Sequence, residues 1–372
     1  MKKNFLFKFS AIAMSLILIA CGGSTSEDAV ETETTVIENE ESLNVVVTTP
    51  MLGEFVKQVA GDSVVLNILM PAEADPHTYD PSPQDAAKIA DADIVLYVGI
   101  KYETSSLLKL IENTASTNAT LLEIGEEVDP IEFKDGEHDH GHDEEGHDDH
   151  DDEDGHDDHD EEGHDEDKDH DHDDEDGHDD HDEEGHEGHE GHDHGSEDPH
   201  FWFDPVRVAL AVEVIKDSLV SLDPTNSSTY EANADNFISE LTDLDAQVKE
   251  LVESVSEDNR KIVTTHEALG YLEARYEIEV FATIIPTLST ADEISPSQIA
   301  DVIDVIKDND IKVLFVETEA PSVYADTVAA EAGIIAIKGL YVETLKDGQS
   351  YSDFLISNVT LIVESLNSAG EG

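Results

Sequence analysis

What most constrains the fold of this chain is an alternation. From Leu43 onward, short runs rich in Val and Ile trade places with stretches whose apolar residues recur every three or four positions. The order is "LNVVVTT", "MLGEFVKQVAG", "VVLNILM", "PQDAAKIADA", "DIVLYVG", "SSLLKLIENTA" and "TLLEIG". Continuous β-branched runs suit strands covered on both faces, and the helical stretches between them return the chain to start the next strand in the same direction. The expected fold class is therefore α/β, with βα units around a mainly parallel sheet. The pattern restarts after residue 258 as "RKIVTTH", "EALGYLEARY", "EVFATII", "SPSQIADVIDVIKDN", "IKVLFVE", "SVYADTVAAEAG", "IIAIKG" and "YSDFLISNVTLIVESLNS". Two α/β lobes follow.

Between them, Tyr230, Phe237, Leu241, Leu244, Val248, Leu251 and Val255 fall on one face of a single long helix. Such a stripe also serves coiled-coil dimers, but it covers only about four heptads and "LDPTNSS" supplies a helix start. An intramolecular strut over residues 225–256 is expected, in a monomer, joining a first lobe at 43–224 to a second at 257–372. Three segments stand apart from this scheme. Residues 1–20 open on Met1-Lys2-Lys3 and carry an apolar run from Ala11 to Ala20, too short to span a bilayer, which reads as a secretory signal. Residues 21–42 are polar and read as a disordered tether. Residues 134–198 contain no aliphatic or aromatic side chain and read as a disordered loop within the first lobe.

The "LIAC" that ends at Cys21 resembles a bacterial lipobox, in which that cysteine is lipidated. As the only cysteine of the chain, Cys21 forms no internal disulfide, which fits lipid attachment better than redox chemistry. An exported body, tethered to the membrane through its lipid and facing the periplasm or the cell exterior, is expected. The charge narrows its partners. Against 90 acidic residues stand 19 Lys and Arg, a formal net charge of -71, so nucleic acid is excluded as a partner and metal cations are natural ones.

Of the 19 histidines, 16 lie between His138 and His194, in a run that copies "DDEDGHDDHDEEGH" at 151–164 and again at 173–186. Imidazole and carboxylate together suit divalent first-row metals, so weak auxiliary binding is expected there, for instance at His138, His140, His142, His170, His172, His192 and His194. The other three histidines have different surroundings. His77 lies in "DPHTYDPSPQDAAKIADADIVLYVG", His200 in "DPHFWFDP" and His266 in "TTHEALGYLEARY". All three sit at strand ends or in adjoining loops, where open α/β sheets place their ligands. Three neutral imidazoles leave one position at zinc for a carboxylate or water.

These motifs resemble the zinc and manganese type of metal-binding solute-binding lipoproteins of bacterial ABC transporters, across nearly the whole chain from Leu43 to Asn367. The resemblance implies that His77 and His200 from the first lobe and His266 from the second hold a metal in the cleft between lobes. It implies a fourth ligand after the last strand, where "GLYVETLKDG" offers Glu343; water, Glu317 or Asp80 are the alternatives. It further implies Zn2+ as the transported ligand, a membrane permease as partner, and no enzymatic activity. His266, where manganese-type relatives tend to have a carboxylate, favours zinc. Free imidazole titrates near pH 6.5, so affinity is expected to fall on acidification through about pH 6.

Three other readings compete. A manganese or iron carrier of the same family would share the fold. A zinc hydrolase would also use three histidines and a carboxylate, but "HEALG" lacks the second histidine of HExxH. A surface storage or adhesion protein would rely on the His-rich run rather than the cleft.

Overall fold

The computed structural model describes residues 42–133, 197–319 and 323–370. The signal segment, Cys21, the tether up to residue 41 and the seven auxiliary histidines from His138 to His194 lie outside the described residues. The first lobe is built from β1 (Asn44–Val47), α1 (Pro50–Ala60), β2 (Val65–Ile68), α2 (Pro83–Ala90), β3 (Ile94–Tyr97), α3 (Ser105–Thr114) and β4 (Thr120–Glu123). Then come α4 (Pro205–Leu222) and α5 (Ser227–Glu253). The second lobe contains β5 (Lys261–His266), α6 (Gly270–Tyr276), β6 (Glu279–Ile285), α7 (Pro296–Asp308), β7 (Val313–Glu317), α8 (Val323–Ala332), β8 (Ile335–Leu340) and α9 (Tyr351–Gly370).

Each lobe has one four-stranded sheet, in the orders β2-β1-β3-β4 and β6-β5-β7-β8, and every pairing is parallel. The strand order reverses between β1 and β3 in one sheet and between β5 and β7 in the other. Those are the switch points at which loops leave in opposite directions and open a crevice beyond the strand ends.

Local chemistry sets the helix starts. Thr49 accepts from Leu52 N with Pro50 at the first position of α1, and Asp204 accepts from Val206 N with Pro205 opening α4. Ser82 with Asp85 and Ser295 with Gln298 form reciprocal capping boxes at α2 and α7. The long helix α5 begins after a short turn at Pro224–Asn226, where Asp223 accepts from Tyr230 Oη at 2.7 Å. Its buried face is Tyr230, Ala234, Phe237, Leu241, Leu244, Val248 and Val252. That face packs on α1, α4 and α9 of the same chain, so the stripe is spent inside the molecule. Val252 takes the place expected of Leu251, since the true helical repeat of 3.6 drifts from the spacing seen in the sequence.

The largest core cluster runs through both lobes and includes Val45, Phe55, Trp202, Phe237, Phe315 and Tyr351. Separate clusters seal the remaining faces of each sheet: Val46, Ile89, Val95 and Leu107 in the first lobe, and Val263, Ile284, Leu314 and Val328 in the second.

Two details depart from the sequence reading. The acidic stretch expected to be disordered through residue 198 is ordered again at 197–198. Glu197 pairs antiparallel with Glu132, Asp198 N donates to Ile131 O at 3.0 Å, and Asp198 is buried. Helix α6 begins at Gly270 rather than at Glu267, because Ala268 N turns back to His266 O and Glu267 N donates to Thr287 O. That turn takes the chain out of the strand at His266.

Candidate metal centre

The same local turn presents two of the histidines. In Asp75-Pro76-His77, Asp75 Oδ1 accepts from His77 N at 2.9 Å, and in Asp198-Pro199-His200, Asp198 Oδ1 accepts from His200 N at 2.9 Å. Proline fixes the middle of each turn and the aspartate closes it. His77 stands in the loop between β2 and α2. His200 leads into the fully buried turn Phe201–Phe203. There Trp202 stacks edge-on against His200 at 5.5 Å between ring centroids, and its Nε1 donates to Val342 O at 2.7 Å. His266 is the last residue of β5, and Glu343 follows β8. Tyr102 reaches across from the first lobe, its hydroxyl donating to Glu343 O at 3.0 Å.

The structure brings His77, His200, His266 and Glu343 into one group, with one nitrogen or oxygen atom of each lying within 4.8 Å of all the others. Their Nε2 atoms stand 3.5, 3.5 and 2.7 Å from Glu343 Oε1. His200 and His266 are fully buried, Glu343 is 1% exposed and His77 9%. None of the three Nε2 atoms, and neither oxygen of Glu343, makes a hydrogen bond. Five converging buried polar atoms without partners are costly in a folded protein unless something else joins them.

The opposite ring nitrogens are occupied. His200 Nδ1 lies 2.7 Å from Asp198 Oδ1, and His266 Nδ1 is hydrogen-bonded to Glu317 Oε2. Glu317 Oε1 also accepts from Thr265 N and His266 N, both at 3.1 Å, bridging the switch point between β5 and β7. A carboxylate on Nδ1 holds the proton there and leaves Nε2 as a lone-pair donor facing the group, the arrangement that orients metal-bound histidines.

Electrostatics tie the four together. Burial alone would lower the pKa of His200, but Glu343 and then Asp198 outweigh it and raise it to about 9. Burial would likewise lower His266, yet Glu317 and Glu343 hold it well above the usual histidine range. Burial would raise Glu343, and the facing imidazoles of His200 and His77 keep it well below the usual carboxylate range. The group therefore binds protons tightly by itself, and any cation entering it has to displace them. These shifts move the expected onset of proton competition from near pH 6 to higher pH, because the carboxylates stabilise the imidazolium forms.

All four residues singled out from the sequence thus converge, and of the alternatives for the fourth position neither joins them. Asp80 is exposed and outside the group, and Glu317 is turned to the far side of His266. Sequence reasoning marked the Asp-Pro before His200 but counted Asp198 with the acidic run, and it missed the bond of Asp198 to the His200 ring. It also missed Tyr102, whose ring packs edge-on against both His77 and His200, and for which no local signal exists.

Residues 45–365 match the family described as the periplasmic zinc-uptake complex component A, ZnuA. The chain belongs to this family. It is accordingly a substrate-binding component of a metal ABC transporter and not an enzyme, which removes the hydrolase alternative. It is 25% identical to the manganese-binding lipoprotein MntA of Halalkalibacterium halodurans, with 98% of this chain and 99% of that one aligned. It is 30% identical to the zinc-binding lipoprotein AdcA of Streptococcus pneumoniae, with all of this chain aligned to 62% of the longer relative's length. Among solved structures, the periplasmic zinc-binding protein TroA of Treponema pallidum shares the fold, with a TM-score of 0.67 at 20% identity over 88% of this chain and 99% of that one. Among the described residues, no helix is long and apolar enough to cross a membrane.

Proposed function

We propose that the chain captures Zn2+ between its lobes and delivers it to a membrane permease. In this reading the Nε2 atoms of His77, His200 and His266 and the carboxylate of Glu343 bind the ion, and Cys21 carries the lipid that holds the protein at the outer face of the cell membrane. The single observation that carries the reading is the set of five buried, unpartnered atoms at the meeting of the two lobes. Three nitrogens and one carboxylate match the ligand preferences of zinc, whereas manganese favours more oxygen. The carboxylates behind His200 and His266 support the same choice, because they raise the basicity of the ring nitrogens facing the ion. The relatives' names divide between zinc and manganese, so the preference for zinc rests on the ligand set of this chain.

Zinc titration of the chain from Leu43, with and without residues 136–194 and beside His200→Ala, tests this reading. Ending the deletion at 194 keeps the stem formed by Glu132, Glu197 and Asp198. The expected result is that the deletion removes weak sites only and His200→Ala removes the tightest one. A deletion that abolished tight binding would instead make the His-rich run the main device, as in a storage protein.

A further inference from the structure

We propose that the ion exchanges along the His77 side of the centre and that a hydrogen bond between the lobes, from Thr290 to Asp75, is the latch across that route. This rests on the ligand set proposed above. Three observations place the route. Of the four residues His77 is the least buried, 9% exposed over the whole residue and 3% in its side chain, against at most 1% for the others. His200 and His266 are each pinned at Nδ1 by a buried carboxylate, while among the described residues none bonds the Nδ1 of His77. A cavity of about 270 Å³ lies against His77, walled by Lys101, Tyr102, Thr104, Leu108 and Ser289. The other three residues do not line it.

The latch stands beside that cavity. Thr290, next to the wall residue Ser289 and itself 6% exposed, donates through Oγ1 to Asp75 Oδ2 at 2.6 Å. The other oxygen of the same carboxylate closes the turn that presents His77. One aspartate thus sets the His77 loop of the first lobe and receives the loop that follows β6 in the second. The base of that loop is fixed in turn, since Thr287 O accepts from Glu267 N, the residue after His266. Breaking one hydroxyl–carboxylate bond would free the His77 turn from the second lobe while leaving His200, His266 and their carboxylates in place. Two further bonds join the lobes through fully buried aromatic rings to main chain, from Trp202 to Val342 and, at the inner wall of the cavity, from Tyr102 to Glu343.

A latch closed equally with and without the ion changes rates and leaves affinity alone. The test loads the chain with one equivalent of Zn2+, chases it with an excess of chelator, and measures association separately by stopped flow. Thr290→Val keeps the shape and removes the donor; both rates should rise about 10- to 100-fold, the worth of one hydrogen bond to a carboxylate, with the dissociation constant steady. Thr290→Ser should restore the parent rates. Ser289→Leu, and more strongly Ser289→Trp, narrows the cavity and should slow both rates. Parent-like rates in Thr290→Val and Ser289→Leu would overturn the proposal, as would a Thr290→Val effect confined to dissociation with a matching loss of affinity. If His200→Ala still lost the tight ion in that case, only the route would have failed. If His200→Ala kept it, the ligand set itself would be wrong.

Discussion

The proton affinity of the cluster makes zinc binding depend on pH over a range where an ordinary histidine site would be indifferent. With the pKa of His200 raised to about 9 by Glu343 and Asp198, the protonated form of its imidazole outnumbers the neutral form about a hundredfold at pH 7. At 1.36 kcal/mol per pKa unit, displacing that proton costs about 3 kcal/mol. His200 alone should therefore make zinc affinity rise about tenfold per pH unit between pH 7 and 8, and the proton on His266 steepens the slope. The sign follows from competition: protons stabilise the metal-free form below pH 9, so acid weakens binding and base strengthens it. The assay is a dissociation constant at pH 6.5, 7, 7.5 and 8, measured against a chelator of known protonation. Calorimetry in two buffers of different ionisation enthalpy counts the protons released, and at least one per zinc is expected at pH 7.5. An affinity that stays level from pH 7 to 8 and falls only below pH 6.5 would show that the imidazoles titrate as they do in water, and would refute the electrostatic reasoning.

Two more predictions follow from the same contacts. In Glu317→Gln the side-chain amide can present NH2 to His266 Nδ1, which favours the tautomer with its proton on Nε2, so zinc affinity should drop by about 10- to 100-fold while circular dichroism stays that of the parent; unchanged affinity would mean that Glu317 does not orient the ring. The metal-free chain should lose stability as pH rises, because the contribution of His200 is fully present below its unfolded pKa of about 6.5 and vanishes through about 9. It is worth at most about 3 kcal/mol, and a thermal midpoint in chelator that rose from pH 6.5 to 9 would contradict it.

Much of this was legible in the sequence, and the reasons differ by element. The central strands β1, β3, β5 and β7 announce themselves because they are buried along nearly their whole length, which demands apolar runs such as "NVVV" and "VLFVE", whereas the half-exposed outer strands β2, β4 and β8 are legible mainly from their place in the alternation. His77, His200 and His266 could be separated from 16 other histidines because a histidine flanked by Pro, Trp or a strand sits in a setting that composition alone does not produce. The partners of the rings were hidden. Glu317 lies 51 residues from His266, and only the pairing of β5 with β7 brings the two together. Asp198 was visible as part of Asp-Pro-His, but its bond to the His200 ring was not. The bond from Thr290 to Asp75 spans 215 residues and depends on how two loops meet, which no periodicity encodes. Glu343 was reachable through the resemblance, but nothing near it in the chain marks it as buried.

The central claim is that one ion is held by three imidazoles and one carboxylate, and zinc K-edge X-ray absorption on the chain lacking residues 136–194, loaded with one equivalent, tests it most directly. The account predicts a shell of about four nitrogen and oxygen neighbours near 2.0–2.1 Å, with multiple-scattering features of three imidazoles, a signature that His200→Ala abolishes. A spectrum with one imidazole or none, or one that His200→Ala leaves unchanged, would contradict it.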